Sequence, residues 1–174
     1  MNKINNTLCL TLVFVLIISM CSCCRTTVID HGNGFLEDPE TGVCIFAFEE
    51  TCDLVKYPYN DRHIVLPTGF DGKTITGTFE QLFNGYKKDL ESVIIPDTYT
   101  ELSYCTFYNH TELKSIYIPL SVTIIEECAI SMCSDLTIFC EAPEKPAGWH
   151  ELWYNGCENV NVVWGCKKEY FPNH

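Results

Sequence analysis

The sequence predicts a β-rich solenoid of short stacked strands, closed at both ends. Three observations predict it. Leu90–Pro96 and Leu113–Pro119 align without a gap at a period of 23 residues. Each copy alternates apolar side chains and then stops at a proline, the pattern of a short strand. A stretch carrying Trp149, Trp153 and Trp164 follows the last copy, as expected where a stack of repeats must cover its final edge.

The chain begins with an address. Lys3 is the one charged side chain before Arg25, and Leu8 to Met20 is apolar except for Thr11 and Ser19. A run of about 13 residues is short for a membrane span and fits the apolar centre of a secretory signal. The uncharged run from Ile4 to Cys24 leaves a signal anchor as the lesser alternative. Met20-Cys21-Ser22-Cys23-Cys24 resembles a bacterial lipobox, with Cys21 and Cys23 as lipid anchor candidates. Simple cleavage near Ser22 is the other reading. Twelve cysteines in 174 residues agree with export to an oxidising compartment. A net charge of −12 argues against nucleic acid as a partner, since polyphosphate would be repelled. With 47% apolar residues the chain can bury a core, and its length suits one domain.

The repeats come next. Residues 23–34 read as a linker and 35–60, with Val43 to Phe48, as an N-terminal cap. Repeats occupy 61–143. His63-Ile-Val-Leu-Pro67 is a degenerate first copy, and Leu136 to Pro143 is a later copy with one residue added before its proline. Beyond the prolines, Leu102 matches Ile125, Cys105 matches Cys128 and Phe107 matches Ile130. Val93 and Ile95 should face one way and Ile94 the other. One helical turn is expected near Cys128 to Cys133. Residues 144–166 read as the C-terminal cap and 167–174 as a frayed tail.

Leu113, Ile116, Ile118, Pro119, Ser121, Val122, Ile125, Ala129, Cys133 and Leu136 together carry a resemblance. They resemble the BspA-type leucine-rich repeats of bacterial surface proteins, also found in some protists. Ile130 stands where that family usually has Phe, and His110 replaces the cysteine of the preceding unit. The resemblance covers about 63–166 and is most specific from 90 to 165. It implies a right-handed leucine-rich-repeat solenoid with helical turns. It also implies an exported, surface-anchored module that recognises or adheres to a protein ligand, with a structural accessory subunit of an envelope complex as the alternative.

The chemistry-bearing residues name no reaction. Cys105 and Cys128 stack one repeat apart, where strands about 4.8 Å apart would bring two Cα atoms near disulfide range. A bridge and two buried free thiols both remain open. Cys157 and Cys166 could staple the C-terminal cap, and Cys44 and Cys52 the N-terminal one. Beyond the signal segment the sequence has no Cys-x-x-Cys, and it has no His pair at helical spacing, so no zinc or other cofactor is expected. His31, His63, His110, His150 and His174 supply bases for a Cys/His enzyme, but none sits in a nucleophile motif. Asn109-His110-Thr111 is a glycosylation sequon, relevant only in a eukaryote. Val65, Ile94, Tyr117 and Cys140 are expected to form an outward column on the strand face, a candidate binding surface.

Overall fold

The computed structural model describes residues 28–83 and 89–171. The expected signal segment, including Cys21 and Cys23, lies outside the described residues. In chain order the strands are β1 (Ile29–Asp30), β2 (Phe35–Glu37), β3 (Cys44–Ala47), β4 (Thr51–Lys56), β5 (His63–Val65), β6 (Gly69–Phe70), β7 (Lys73–Thr78) and β8 (Ser92–Ile94). They continue as β9 (Glu101–Leu102), β10 (Phe107–Tyr108), β11 (Ser115–Ile118), β12 (Ile124–Ile125), β13 (Ile130–Ser131), β14 (Thr137–Cys140), β15 (Tyr154–Asn155) and β16 (Asn161–Trp164).

The 23-residue period builds a stack of coils. One strand from each of five coils makes the main parallel sheet, in the order β16-β14-β11-β8-β5. Its inward ladder is Ile64, Val93, Ile116, Ile138 and Val162, set directly opposite one another across four strand pairs. Each strand alone would leave such a side chain in water, whereas stacking removes it by contact with the coil above and below. Proline then ends the strand and starts a tight turn. Tyr99 N–H donates to Pro96 O at 3.1 Å, Val122 N–H to Pro119 O at 3.2 Å, and Trp149 N–H to Pro146 O at 3.1 Å. Two smaller parallel sheets close the coils, with Leu102 opposite Ile125 and Phe107 opposite Ile130. These are the residue pairs that the sequence period matches. Leu90, Leu113 and Leu136 are fully buried between the sheets.

The helical turn expected over Cys128 to Cys133 does not form. Ile130–Ser131 is a strand there, flanked by Cys128 and Met132 in the left-handed region, at φ 55° and 56°. Backbone donors point sideways to the next coil: Cys128 N–H to Leu152 O at 2.8 Å and Ile130 N–H to Trp153 O at 3.1 Å. A helical turn would direct such donors along its own chain instead. Among the described residues the one helical element is the 3-10 turn Lys168–Tyr170.

The two ends differ. Residues 144–166 wind one more coil: Trp149 bridges Ile125, β15 pairs with β13, and β16 pairs with β14. Trp149, Trp153 and Trp164 cluster at the end of the core, with ring centroids 4.8 Å apart for Trp149–Trp153 and 5.7 Å for Trp149–Trp164. Gly148 is required in this coil, because a Cβ there would land on the Thr123 carbonyl oxygen. At the other end β1 to β4 form an antiparallel meander, and β4 pairs in parallel with β7. Backbone bonds join this sheet to the coils: Thr100 N–H donates to Thr76 O at 2.8 Å, and Thr123 N–H to Thr100 O at 3.0 Å.

The candidate pairs Cys105/Cys128, Cys157/Cys166 and Cys44/Cys52 are unbridged in this structure, and all eight described cysteines are free. Cys105 and Cys128 do stand one coil apart, but both turn toward the following coil rather than toward each other. The Cys105 thiol lies 4.0 Å from Ser131 Oγ, and Cys128 Sγ accepts from Asn155 Nδ2 at 3.8 Å. The Cys44 and Cys52 thiols donate to different backbone carbonyls, of Ile45 at 4.0 Å and Thr74 at 3.7 Å. The Cys166 thiol donates to Lys167 O at 3.6 Å, away from Cys157.

Candidate recognition surface

The main sheet presents two outward columns, because alternate residues of a strand point to opposite faces. One is polar: His63, Ser92, Ser115, Thr137 and Asn161. The other is apolar: Val65, Ile94, Tyr117, Phe139 and Val163. Val65, Ile94 and Tyr117 therefore line up as the repeat predicts. Cys140 does not belong to that column. The last copy has one residue fewer between Leu136 and its strand and two more between the strand and Pro143, so strands pair 22 residues apart: Phe139 stands opposite Tyr117, while Cys140 lies opposite Ile118 and faces the core.

The apolar column is mostly closed. Val65 is 53% exposed, but Ile94 and Tyr117 are buried at 4% and 1%. The cover is the tail. After the 3-10 turn, Phe171 folds back onto Ile94, Tyr117 and Phe139 and is itself buried. Its ring stands edge-on to Phe139 at 5.4 Å and to Tyr117 at 6.0 Å, a geometry that suits the aromatic quadrupole. Phe171 is thus packed, where the sequence suggests fraying, while Lys168 to Tyr170 stay exposed. Burial and the neighbouring Glu141 carboxylate, which accepts the Tyr117 hydroxyl, push that phenol well above its usual range. Glu141 also accepts the Leu120 N–H at 2.9 Å, which fixes the carboxylate beside the column.

A second aromatic surface is open. Phe35, Phe46, Phe48 and Phe79 sit side by side on the N-terminal sheet. Ring centroids are 5.0 Å apart for Phe35–Phe46, 5.4 Å for Phe46–Phe48 and 6.1 Å for Phe35–Phe79. Phe48 and Phe79 are exposed, at 48% and 38%, and the other two are half-buried. Antiparallel register brings Phe35 opposite Phe46. Lys73 Nζ holds the turn that carries Phe48, donating to Phe48 O at 2.7 Å and also to Glu49 O. Periodicity could not mark this patch, since Phe35, Phe46 and Phe48 come from the N-terminal meander and join Phe79, just after β7, only through the fold. The sequence signal was the aromatic density of Phe35 and Ile45-Phe-Ala-Phe48 alone.

The remaining chemical groups are occupied structurally. Burial raises the Cys52 thiol to about 11 and the Cys140 thiol to about 12, so both are protonated at neutral pH. His63 shares a 2.9 Å hydrogen bond with Ser92 Oγ, and His150 Nδ1 accepts the Leu152 N–H at 3.1 Å. His31 pairs with Glu37 at 2.8 Å, and His110 packs edge-on against Phe83 at 5.6 Å. His174 lies outside the described residues. Among the described residues no group of three His, Cys, Asp or Glu side chains is placed to hold a metal ion. No helix among them is long and apolar enough to cross a membrane.

A family model described as a BspA type leucine rich repeat region of six copies matches residues 73–163. The chain belongs to the BspA-type leucine-rich repeat family. Its fold is similar to that of a leucine rich cell surface protein from Faecalibacterium prausnitzii A2-165, with a TM-score of 0.50 and 23% identity over 79% of this chain and 44% of that one. It is also similar to a leucine-rich repeat protein from Bacteroides ovatus ATCC 8483, with a TM-score of 0.50 and 18% identity over 70% of this chain and 36% of that one. The chain thus spans less than half the length of either structure. No curated protein matches it in sequence. The covered column lies within the BspA-type repeats except for Val65 and Phe171, whereas Phe35, Phe46 and Phe48 lie before them.

Proposed function

We propose that this BspA-type repeat protein is exported, held at the cell surface, and works there by binding another protein rather than by catalysis. Family membership and the cell-surface description of a structural relative support the surface role. The observation that carries binding is the open cluster of Phe35, Phe46, Phe48 and Phe79. Four neighbouring aromatic rings, two of them exposed, supply the anchor chemistry that dominates protein interfaces. The coils form a stiff support behind it through backbone bonds from Thr76 to Thr123. The apolar signal segment and the lipobox-like cysteines Cys21 and Cys23 support export and tethering.

The test is saturable binding of the full-length protein to a panel of purified surface proteins from host and neighbouring cells. Wild type is compared with a Phe48→Asp/Phe79→Asp double variant of unchanged circular dichroism. Saturable binding lost in the double variant supports the reading. Binding that survives the double variant places recognition elsewhere on the molecule. A complete lack of binding, together with stoichiometric co-purification with one envelope complex, would favour an accessory structural subunit.

A further inference from the structure

The fourth corner of each coil stacks His110, Cys133 and Cys157 at equivalent positions. The register follows from the pairs Tyr108↔Ser131 and Ser131↔Asn155, each two residues earlier, and from the bridge Ser134↔Glu158, one residue later. Backbone bonds bracket the two cysteines: Met132 N–H donates to Asn155 O at 3.2 Å and Glu158 N–H to Cys133 O at 3.1 Å. Directly opposed residues on parallel strands stand about 4.8 Å apart, inside the Cα range of a disulfide. The Cys133 thiol donates to Phe107 O and Ser131 O, both at 3.6 Å, and the Cys157 thiol to Ile130 O at 3.8 Å and Asn155 O at 3.6 Å, so the two sulfurs hold equivalent places on adjacent coils. Cys133 is buried, and Cys157 is half-exposed on the outer coil. The neighbouring pairs lack this arrangement: Cys105 and Cys128 reach toward Ser131 and Asn155, and Cys166 reaches toward Lys167 O.

We propose that Cys133 and Cys157 are a redox-modification site, which an external disulfide converts into a bridge between two adjacent coils. The Cys157 thiol gives its proton to solvent, and its sulfur attacks one sulfur of the oxidant R–S–S–R. A mixed disulfide forms, and the first RS⁻ leaves and takes up a proton. The Cys133 thiol then loses its proton, its sulfur attacks Cys157 Sγ, and the second RS⁻ leaves as a thiol. Two protein thiols are oxidised by two electrons, and one external disulfide is reduced to two thiols. Cys157 is the entry point for two reasons. It is the member that solvent reaches, and the adjacent Cys133 lowers its pKa while Cys133 itself, raised by its neighbour and by burial, keeps its proton. The bridge needs no backbone movement beyond the register already present, so it would staple the last full coil to the one before.

Purified full-length protein, reduced and then desalted, is exposed while folded to oxidised glutathione as the probe. It is then alkylated, digested with glutamyl- and aspartyl-directed proteases, and read by tandem mass spectrometry without reduction. The expected product is a Cys133–Cys157 cross-link two hydrogens lighter than the two free peptides. Thermal unfolding should shift upward by about 5–10 °C relative to the reduced protein. Cys133→Ala should halt the reaction at glutathionylated Cys157, whereas Cys128→Ala and Cys140→Ala should leave the cross-link intact. Wild-type protein that stops at a stable mixed disulfide, stays fully reduced, or links Cys133 to another cysteine would overturn the proposal. The wild-type readout stands even if a variant fails to fold.

Discussion

The protein carries two apolar surfaces with opposite fates. The strand-face column of Ile94, Tyr117 and Phe139 is closed by Phe171, whereas the patch of Phe35, Phe46, Phe48 and Phe79 is left open. The first is produced by the repeat and the second by an irregular meander. A repeat position therefore fixes which way a side chain points but not what covers it. Val65 makes the same point inside one column: it shares its position with Tyr117 and is exposed, since Phe171 packs on Ile94, Tyr117 and Phe139 instead. Solvent contact along the sheet is decided by one side chain, Phe171, that belongs to no repeat.

The largest effect expected is at the centre of the closed surface. Tyr117→Ala removes a ring buried between Ile94, Phe139 and Phe171, and it strands the Glu141 carboxylate. A loss of about 3–5 kcal/mol is expected, read as a fall in the denaturant midpoint. Phe171→Ala comes next. It keeps the column and removes its cover, so about 1.5–3 kcal/mol should be lost, the worth of burying one such side chain. The sharper readout is Tyr117 itself, which should become reactive to tyrosine nitration in Phe171→Ala and stay protected in wild type. Equal protection in both would mean that the tail does not cover the column.

Tyr117→Phe separates packing from the hydroxyl. About 1 kcal/mol should be lost at neutral pH with the Glu141 hydrogen bond. The pH dependence has a definite sign. Burial raises the folded phenol above its unfolded value of about 10. Below about pH 10 both states keep the proton, and stability is flat. Above it the unfolded chain releases the proton and the folded one does not, so stability falls as pH rises. Tyr99, also raised by burial, contributes in the same direction. Tyr117→Phe should therefore make the alkaline fall of the denaturant midpoint shallower without abolishing it.

Much of the coil was legible from spacing. Leu102 with Ile125 and Phe107 with Ile130 followed from the 23-residue period, because parallel stacking turns equal spacing into direct contact. Cys140 failed for a related reason. The aligned leucines and prolines show only a net gain of one residue, and strand pairing reveals it as one residue lost before the strand and two gained after it. The cysteine pairs stayed open in the sequence because spacing gives Cα proximity and not thiol direction. Cys105 and Cys128 occupy left-handed corners that aim both thiols the same way, while Cys133 and Cys157, unremarkable in sequence, stand at matched positions on adjacent coils where Cys133 lowers the pKa of Cys157. The cover of Phe171 and the patch around Phe46 depend on contacts between distant segments, which no local pattern encodes.

The smallest effect is expected on the open surface, and it is the more informative for function. Phe48 gains little from folding, since about half of its surface stays in water and its contact is one ring edge from Phe46. Phe48→Ala should change stability by no more than about 0.5–1 kcal/mol, because it leaves no enclosed cavity. The anchoring of its turn by Lys73 reaches backbone carbonyls, which the substitution does not remove. A side chain that contributes little to the fold yet stays beside three other rings is placed where a partner can bury it. If Phe48→Ala costs as much as Phe171→Ala in the same denaturant titration, the patch is part of the core in solution and the contrast between the two surfaces disappears. If it costs almost nothing while saturable binding weakens, the stability and recognition roles of the two surfaces are separate.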